Sequence, residues 1–227
     1  TDTYKFGMDW APIQDIKFRG SYQKAVRAAN VVELFTAQGF NLFDLPGDPC
    51  GADLAGSANA ASDAACLATG VPAAQLRSPS LDSPAGQYNF LQGGNPDLVP
   101  EESETVTFGI ILQPRFLPKL TMSVDYFNIE ITDTISTFGS ANTLDACYFQ
   151  GDADSCARIN RDQNGNFWRA DGFVQDLNIN IGSLETTGYD LNVNYSGLEM
   201  GSWGSLNFNL TGTYLDELIT VPGPGID

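Results

Sequence analysis

Residues 188–195 read Gly-Tyr-Asp-Leu-Asn-Val-Asn-Tyr, with apolar side chains at 189, 191, 193 and 195 and polar ones between them. A period of two places the two sets on opposite faces of an extended strand. The same pattern recurs on both sides of this stretch. Downstream, Leu206, Phe208, Leu210 and Tyr214 alternate with Ser205, Asn207, Asn209, Thr211 and Thr213. Upstream, Leu120, Met122, Val124 and Tyr126 alternate with Thr121, Ser123 and Asp125, and Val106, Phe108, Ile110 and Leu112 with Thr105, Thr107, Gly109 and Gln113, although Ile111 breaks the polar side. Near the start, Tyr4, Phe6, Met8 and Trp10 alternate with Lys5, Gly7 and Asp9, followed by Ile16, Phe18 and Tyr22 against Lys17, Arg19, Ser21 and Gln23. Six strands with one apolar and one polar face are therefore expected.

A sandwich shows the same alternation, so the period alone leaves two architectures open. Two further features favour a membrane barrel. Aromatic residues bracket the apolar rows, as with Tyr4 and Trp10, Tyr189 and Tyr195, and Trp203 with Tyr214. Aromatic girdles at two membrane interfaces have that placement. The connections also alternate in length. Those at Pro12–Asp15, Pro114–Pro118 and Ser196–Trp203 are short, whereas about 27–102 and 134–182 are long and rich in Gly, Ala, Asp, Asn and Pro. Compact soluble domains rarely carry loops of that size. Short turns at one end and long loops at the other are the asymmetry of an outer-membrane barrel.

Composition narrows the functions. With 28 acidic and 11 basic residues the formal charge is −17, which disfavours nucleic acid as a partner. The chain has no histidine, which removes Ser-His-Asp and Cys-His catalysis and imidazole-dependent zinc sites. Carboxylates such as Glu101, Glu102 and Glu104 come without a nucleophile, a metal cluster or a phosphate-cradling glycine loop. No catalytic, metal or cofactor residues are expected, and the chain reads as no enzyme. Asp162-x-Asn164-x-Asn166 invites calcium, but the glycine is misplaced and no glutamate stands at the twelfth position. Neither a signal peptide nor an apolar run long enough for a transmembrane helix is visible.

Four cysteines, Cys50, Cys66, Cys147 and Cys156, fall in the long loops. Three connectivities are possible. Cys50 with Cys66 and Cys147 with Cys156 is the expected one, because short loops close at the least entropic cost. Zinc is the rival use, without CxxC spacing or histidine to support it. Bridges imply an oxidising, exported location. Within the loops, Val31–Gln38 suggests a short helix, and Asn164–Gly165 a type I′ hairpin turn between Ile159–Asp162 and Phe167–Arg169.

Four segments, in order, carry a family resemblance. Gly94-Asn95-Pro96-Asp97-Leu98-Val99-Pro100-Glu101 resembles the GNPxLxPE motif of TonB-dependent receptors. Arg19-Gly20-Ser21-Tyr22 with Ala25–Asn30 and Glu33-Leu34-Phe35 is similar to the family's RxSYSxxxRAPN…ELF segment, with Ala29 in place of the usual proline. Phe116-Leu117-Pro118 with Ser123–Phe127 and Ile129 resembles the next hairpin, and Gly182–Gly188 the opening of a later strand. The resemblance implies an all-β fold, a partial antiparallel transmembrane barrel of six strands out of about 22. It implies a fragment spanning 1–227 without plug, TonB-interacting box or closing strand, and it reads Pro222–Asp227 as a loop. The implied role is active import of a scarce or bulky nutrient, such as a siderophore or oligosaccharide, across the outer membrane of a Gram-negative bacterium. Implied partners are outer-membrane lipid, the remaining barrel and plug, the TonB complex and the substrate. Tyr88, Phe90, Tyr148, Phe149 and Trp168 are the candidate substrate contacts, since such rings stack on sugars or siderophores; packing the loops together is their other use. The alternative function is a soluble or surface-exposed disulfide-bearing β-sandwich binding module, in which the apolar rows form a core.

Overall fold

A computed structural model describes residues 2–169, 171–221 and 223. In chain order the strands are β1 (Tyr4–Ile13), β2 (Ile16–Arg27), β3 (Gly39–Asp44), β4 (Gln87–Gln92), β5 (Glu101–Leu112), β6 (Leu120–Thr132), β7 (Ile135–Ser136), β8 (Ile159–Asn160), β9 (Phe173–Gln175), β10 (Ile179–Asn180), β11 (Ser183–Glu199) and β12 (Ser205–Val221). The short α-helices among the described residues are α1 (Val31–Phe35), α2 (Asp63–Ala68), α3 (Ser140–Asp145) and α4 (Ala153–Ala157). No helix among the described residues is long and apolar enough to cross a membrane, which says nothing of strands. The chain divides into two compact units. One holds the six long strands; the other is built chiefly of Ala29–Val99 and Ile135–Ile181.

The first unit is an open antiparallel sheet in the order β1-β2-β5-β6-β11-β12. Its register turns the sequence pattern into faces, because directly paired residues project to the same side. Trp10, Phe18, Ile110, Val124 and Leu191 form one continuous apolar row. The next row over that face is Phe108, Tyr126, Tyr189 and Tyr214, with the Tyr126 and Tyr189 rings 5.5 Å apart. On the opposite face Asp9, Arg19, Gly109, Asp125, Asp190 and Thr213 stand in line. Along β12 the apolar stretch from Leu206 to Tyr214 rises on the order of 20 Å once strand tilt is included, close to the lipid-facing band of such barrels. The apolar face is bare: Phe6 is 68% exposed, Met8 72% and Phe208 54%. The sandwich alternative needed this face to be core, and it is not.

The strands are longer than the alternation suggested. β1 runs through Pro12 to Ile13, with a register shift between Trp10 and Ile13, so Trp10 does not end its row. β11 continues past Ser196 to Glu199. In β6 the apolar phase switches between Tyr126 and Phe127. Phe127, Ile129 and Ile131 share the face of Asp125, while Glu104, Glu130 and Glu185 form a row on the face of Val124. Beyond the lipid-facing band, the outer side of a barrel meets polar surroundings, and period-two apolar patterning has no reason to continue there.

All three short turns, 14–15, 113–119 and 200–204, lie at one end of this sheet, and both long insertions leave from the other. At that end Arg27 grips Glu101 through two 2.6 Å bonds. At the turn end Arg115 reaches Asp15 at 2.9 Å.

The second unit knits the two insertions together. Its four-stranded sheet has the order β3-β4-β9-β8, with β4 and β9 parallel, so each insertion supplies half of it. Tyr88, Phe167, Leu81, Val174, Leu144 and Ile159 form its core, together with the cystines. The bridges are Cys50–Cys66 and Cys147–Cys156. The helix expected over Val31–Gln38 stops at Phe35; Asn30 and Glu33 cap its start reciprocally.

The hairpin expected at Asn164–Gly165 is absent. Asp162 Oδ1 accepts the backbone N–H groups of Asn164 and Asn166, each at 2.8 Å, which builds an Asx turn. Gly165 has φ +83°, but Asn164 is not left-handed as a type I′ turn requires. Ile159–Asn160 pairs instead with Phe173–Val174. Of the expected loop Pro222–Asp227, all but Gly223 lies outside the described residues.

Candidate functional site

Polar chemistry concentrates at two places, one in each unit. On the sheet, the polar row is organised around an ion pair that spans two strands. Arg19 on β2 donates from Nε and Nη2 to the two carboxylate oxygens of Asp125 on β6, both at 2.6 Å. Gly109 of β5 lies between them, so the side chains meet over a backbone with no Cβ. A Cβ at 109 would stand 1.9 Å from Asp125 Oδ1. Next in the row, Thr213 donates to Asp190 at 2.6 Å. In a closed barrel such a face lines the lumen. Gly109→Ala is expected to displace this pair and destabilise the sheet by about 1–3 kcal/mol, as overpacking does. Heat-modifiability on gels reads it, as a lower temperature for loss of the compact form; an unchanged temperature contradicts the reading.

In the second unit the charged centre is Arg161, whose side chain is 1% exposed. Its Nη1 donates to Asp48 Oδ2 at 2.6 Å and Nη2 to Asp48 Oδ1 at 2.9 Å. Nη1 also donates to the Gly165 carbonyl and Nη2 to the Tyr148 hydroxyl, while the guanidinium sits 4.7 Å from the Phe167 ring centre. Burial alone pushes the Arg161 pKa down, but the bonds and charge of Asp48 and the Tyr148 hydroxyl outweigh it, so the net shift is upward. Tyr148 is held above its ordinary value chiefly by burial.

A second carboxylate organises the neighbouring backbone. Asp82 Oδ1 accepts from Asp48 N, and Oδ2 from Ala52 N and Asp53 N. Gly51 lets it approach, since a Cβ there would lie 2.2 Å from Oδ1. Arg77 ties Cys50's neighbour Pro49 and the Ala61 carbonyl to Asp63.

The candidate aromatics separate by depth. Tyr88 is fully buried, its ring 4.9 Å from Phe167, and its hydroxyl accepts from Ser83 N at 3.2 Å. Tyr148 is 7% exposed, with its hydroxyl between Thr69 and Arg161. Both build the core. Phe90 is half-buried against Phe43, and Trp168 is half-buried under Arg169, whose guanidinium lies 4.3 Å from its ring. Phe149 is the exposed one, at 46%. Asp48, Asp82 and Arg161 were not singled out by motif; one signal for Arg161 is that an acidic loop pair holds so few arginines.

Burial moves Tyr88 up to about 12. A tyrosine pKa above its unfolded value of about 10 contributes stability that is complete below pH 10 and lost as pH rises through 12. Absorbance titration at 295 nm is expected to show a late step near pH 12 whose amplitude Tyr88→Phe lowers by one tyrosine, with the second unit loosening in the same window. A single step near pH 10 counts against it.

An open sheet with one lipid-compatible and one polar face, and all large insertions at one end, defines a segment of a transmembrane β-barrel. The family described as "TonB dependent receptor-like, beta-barrel" matches residues 1–225, and the chain belongs to this family. Receptors of this family are transporters of the Gram-negative outer membrane and not enzymes. No curated protein matches the chain. Among solved structures it is similar to the siderophore receptor PirA of Acinetobacter baumannii, with TM-score 0.50, 14% identity, and coverage of 95% of this chain and 23% of that one. It is also similar to a double variant of the ferric enterobactin receptor PfeA of Pseudomonas aeruginosa, with TM-score 0.54, 12% identity, and coverage of 95% and 22%. The chain thus spans under a quarter of the length of these receptors, and at such identities the likeness concerns the fold.

Proposed function

We propose that this chain is a stretch of barrel wall with two outer loops from a longer outer-membrane receptor that actively imports a scarce or bulky nutrient. The remaining barrel and a plug close the lumen around the Asp9–Thr213 row, lipid covers the Trp10–Leu191 face, and the TonB complex supplies energy. The observation that carries the reading is the one-sided placement of both insertions on a sheet with opposed apolar and polar faces. Residues 29–99 and 135–181 contain 13 acidic and 4 basic side chains, a net −9. That charge repels an anionic ferric siderophore and suits a neutral oligosaccharide or a cationic complex. Phe149, with Phe90 and Trp168 at half depth, are the rings available to touch it; Tyr88 and Tyr148 are buried in the core of the second unit. The test is uptake by the source bacterium with and without the gene, using labelled ferric siderophores, haem and oligosaccharides, each with and without a protonophore. Loss of energy-dependent uptake of one class supports import, whereas unchanged uptake and a protein outside the outer-membrane fraction overturn it.

A further inference from the structure

The second unit contains a cavity of about 170 Å³ that neither the lumen row nor the buried Arg161 centre uses. Leu45, Pro46, Pro49 and Leu54 of the first insertion form one side, and Leu144 and Phe149 of the second form the other. Its walls are held from behind. Pro49 adjoins the bridged Cys50, Phe149 lies two residues from the bridged Cys147, and Asp82 fixes the backbone of Asp48, Ala52 and Asp53. A pre-formed apolar hollow loses little entropy when it is filled. An engineered apolar cavity of about 150 Å³ holds a benzene ring, so the volume suits one ring-sized group.

The charge around it selects among such groups. Among the described residues, Asp145 is the only charged one lining the cavity, and it is exposed at the rim. The surrounding insertions carry a net charge of −9. We propose that this cavity is a ligand subsite for a ring-sized apolar group borne next to a cationic centre, such as an arylalkyl-ammonium group. The ring inserts between the prolines and Phe149, and the ammonium stays at the wet rim facing Asp145. An aryl carboxylate of the same shape meets like charge and is rejected. Assigning this group to the imported substrate rests on the transport reading; the binding itself does not.

The test uses the purified full-length receptor in detergent and fluorine NMR with 4-fluorophenethylamine and 4-fluorophenylacetate. The amine is expected to bind about tenfold more tightly than the acid at low salt, a difference of about 1.4 kcal/mol. Asp145→Asn narrows that preference to under about threefold. Ala141→Trp, at an exposed rim position, fills the mouth without removing a core side chain and abolishes binding of both probes. Equal binding of amine and acid, or binding that Ala141→Trp leaves intact, overturns the subsite. If uptake fails in the cell while the amine still binds, the transport reading falls and the subsite stands. If uptake proceeds but no probe binds, the reverse holds.

Discussion

Arg161→Met is expected to destabilise the second unit by about 3–5 kcal/mol, because it leaves the Asp48 carboxylate buried without its counter-ion. The pair as such adds little, since desolvation offsets most of the attraction. What the substitution exposes is the asymmetry of breaking it. Asp48 is 0% exposed and its Oδ1 also accepts from Cys50 N, so it cannot turn to water without releasing the bridged segment. The Tyr148 hydroxyl and the Gly165 carbonyl lose a donor at the same time. Arg161→Lys keeps a charge but not the fork that meets both oxygens of Asp48, and is expected to fall between. Hydrogen exchange in the full receptor reads the effect. Amides of 45–90 and 140–176 should exchange faster, while those of the six long strands keep their protection. Equal protection in both units before and after the change would falsify the buried-pair account.

The contrast between the units also explains what was legible in the sequence. A strand in the lipid-facing band repeats one environment every second residue, so Leu120–Tyr126 and Gly188–Tyr195 declare their faces locally. The signal stops where the environment changes, as at Tyr126/Phe127, because the alternation carries no mark for the edge of the lipid band. In the insertions the decisive contacts are remote. Arg161 and Asp48 are 113 positions apart, and Phe90 pairs with Val174 through a parallel bridge that no local pattern announces. Residue type alone offered the exposed-ring role for Tyr88, whereas its place beside Phe43 and Phe167 makes it core. At Asn164–Gly165 the dipeptide favoured a hairpin, but the Asp162 carboxylate captured the N–H groups that set the turn.

Removing the disulfides is expected to loosen each insertion without separating the two. Each bridge closes a loop within one insertion, over sequence separations of 16 and 9. In the chain-entropy account, loops of these lengths contribute about 3 and about 2.5 kcal/mol. Cys50 and Cys66 are wholly buried, so Cys50→Ala with Cys66→Ala also opens a void in the core and is the more damaging pair. Cys147→Ala with Cys156→Ala frees the segment that carries Phe149 and has the smaller effect. Neither pair removes a side chain from the contacts that join the insertions, among them the β4–β9 bridge, Arg161–Asp48, Thr69–Tyr148 and the Tyr88–Phe167 stack. Protease cleavage of the full receptor tests this: new cuts should fall between 50 and 66 in one variant and between 147 and 156 in the other. Heat-modifiability should stay unchanged, because the Arg19–Asp125 pair and the six-strand register contain no cysteine. Loss of the compact barrel form in either variant would show that the loops hold the sheet together, and would contradict the expectation that the two units are stabilised independently.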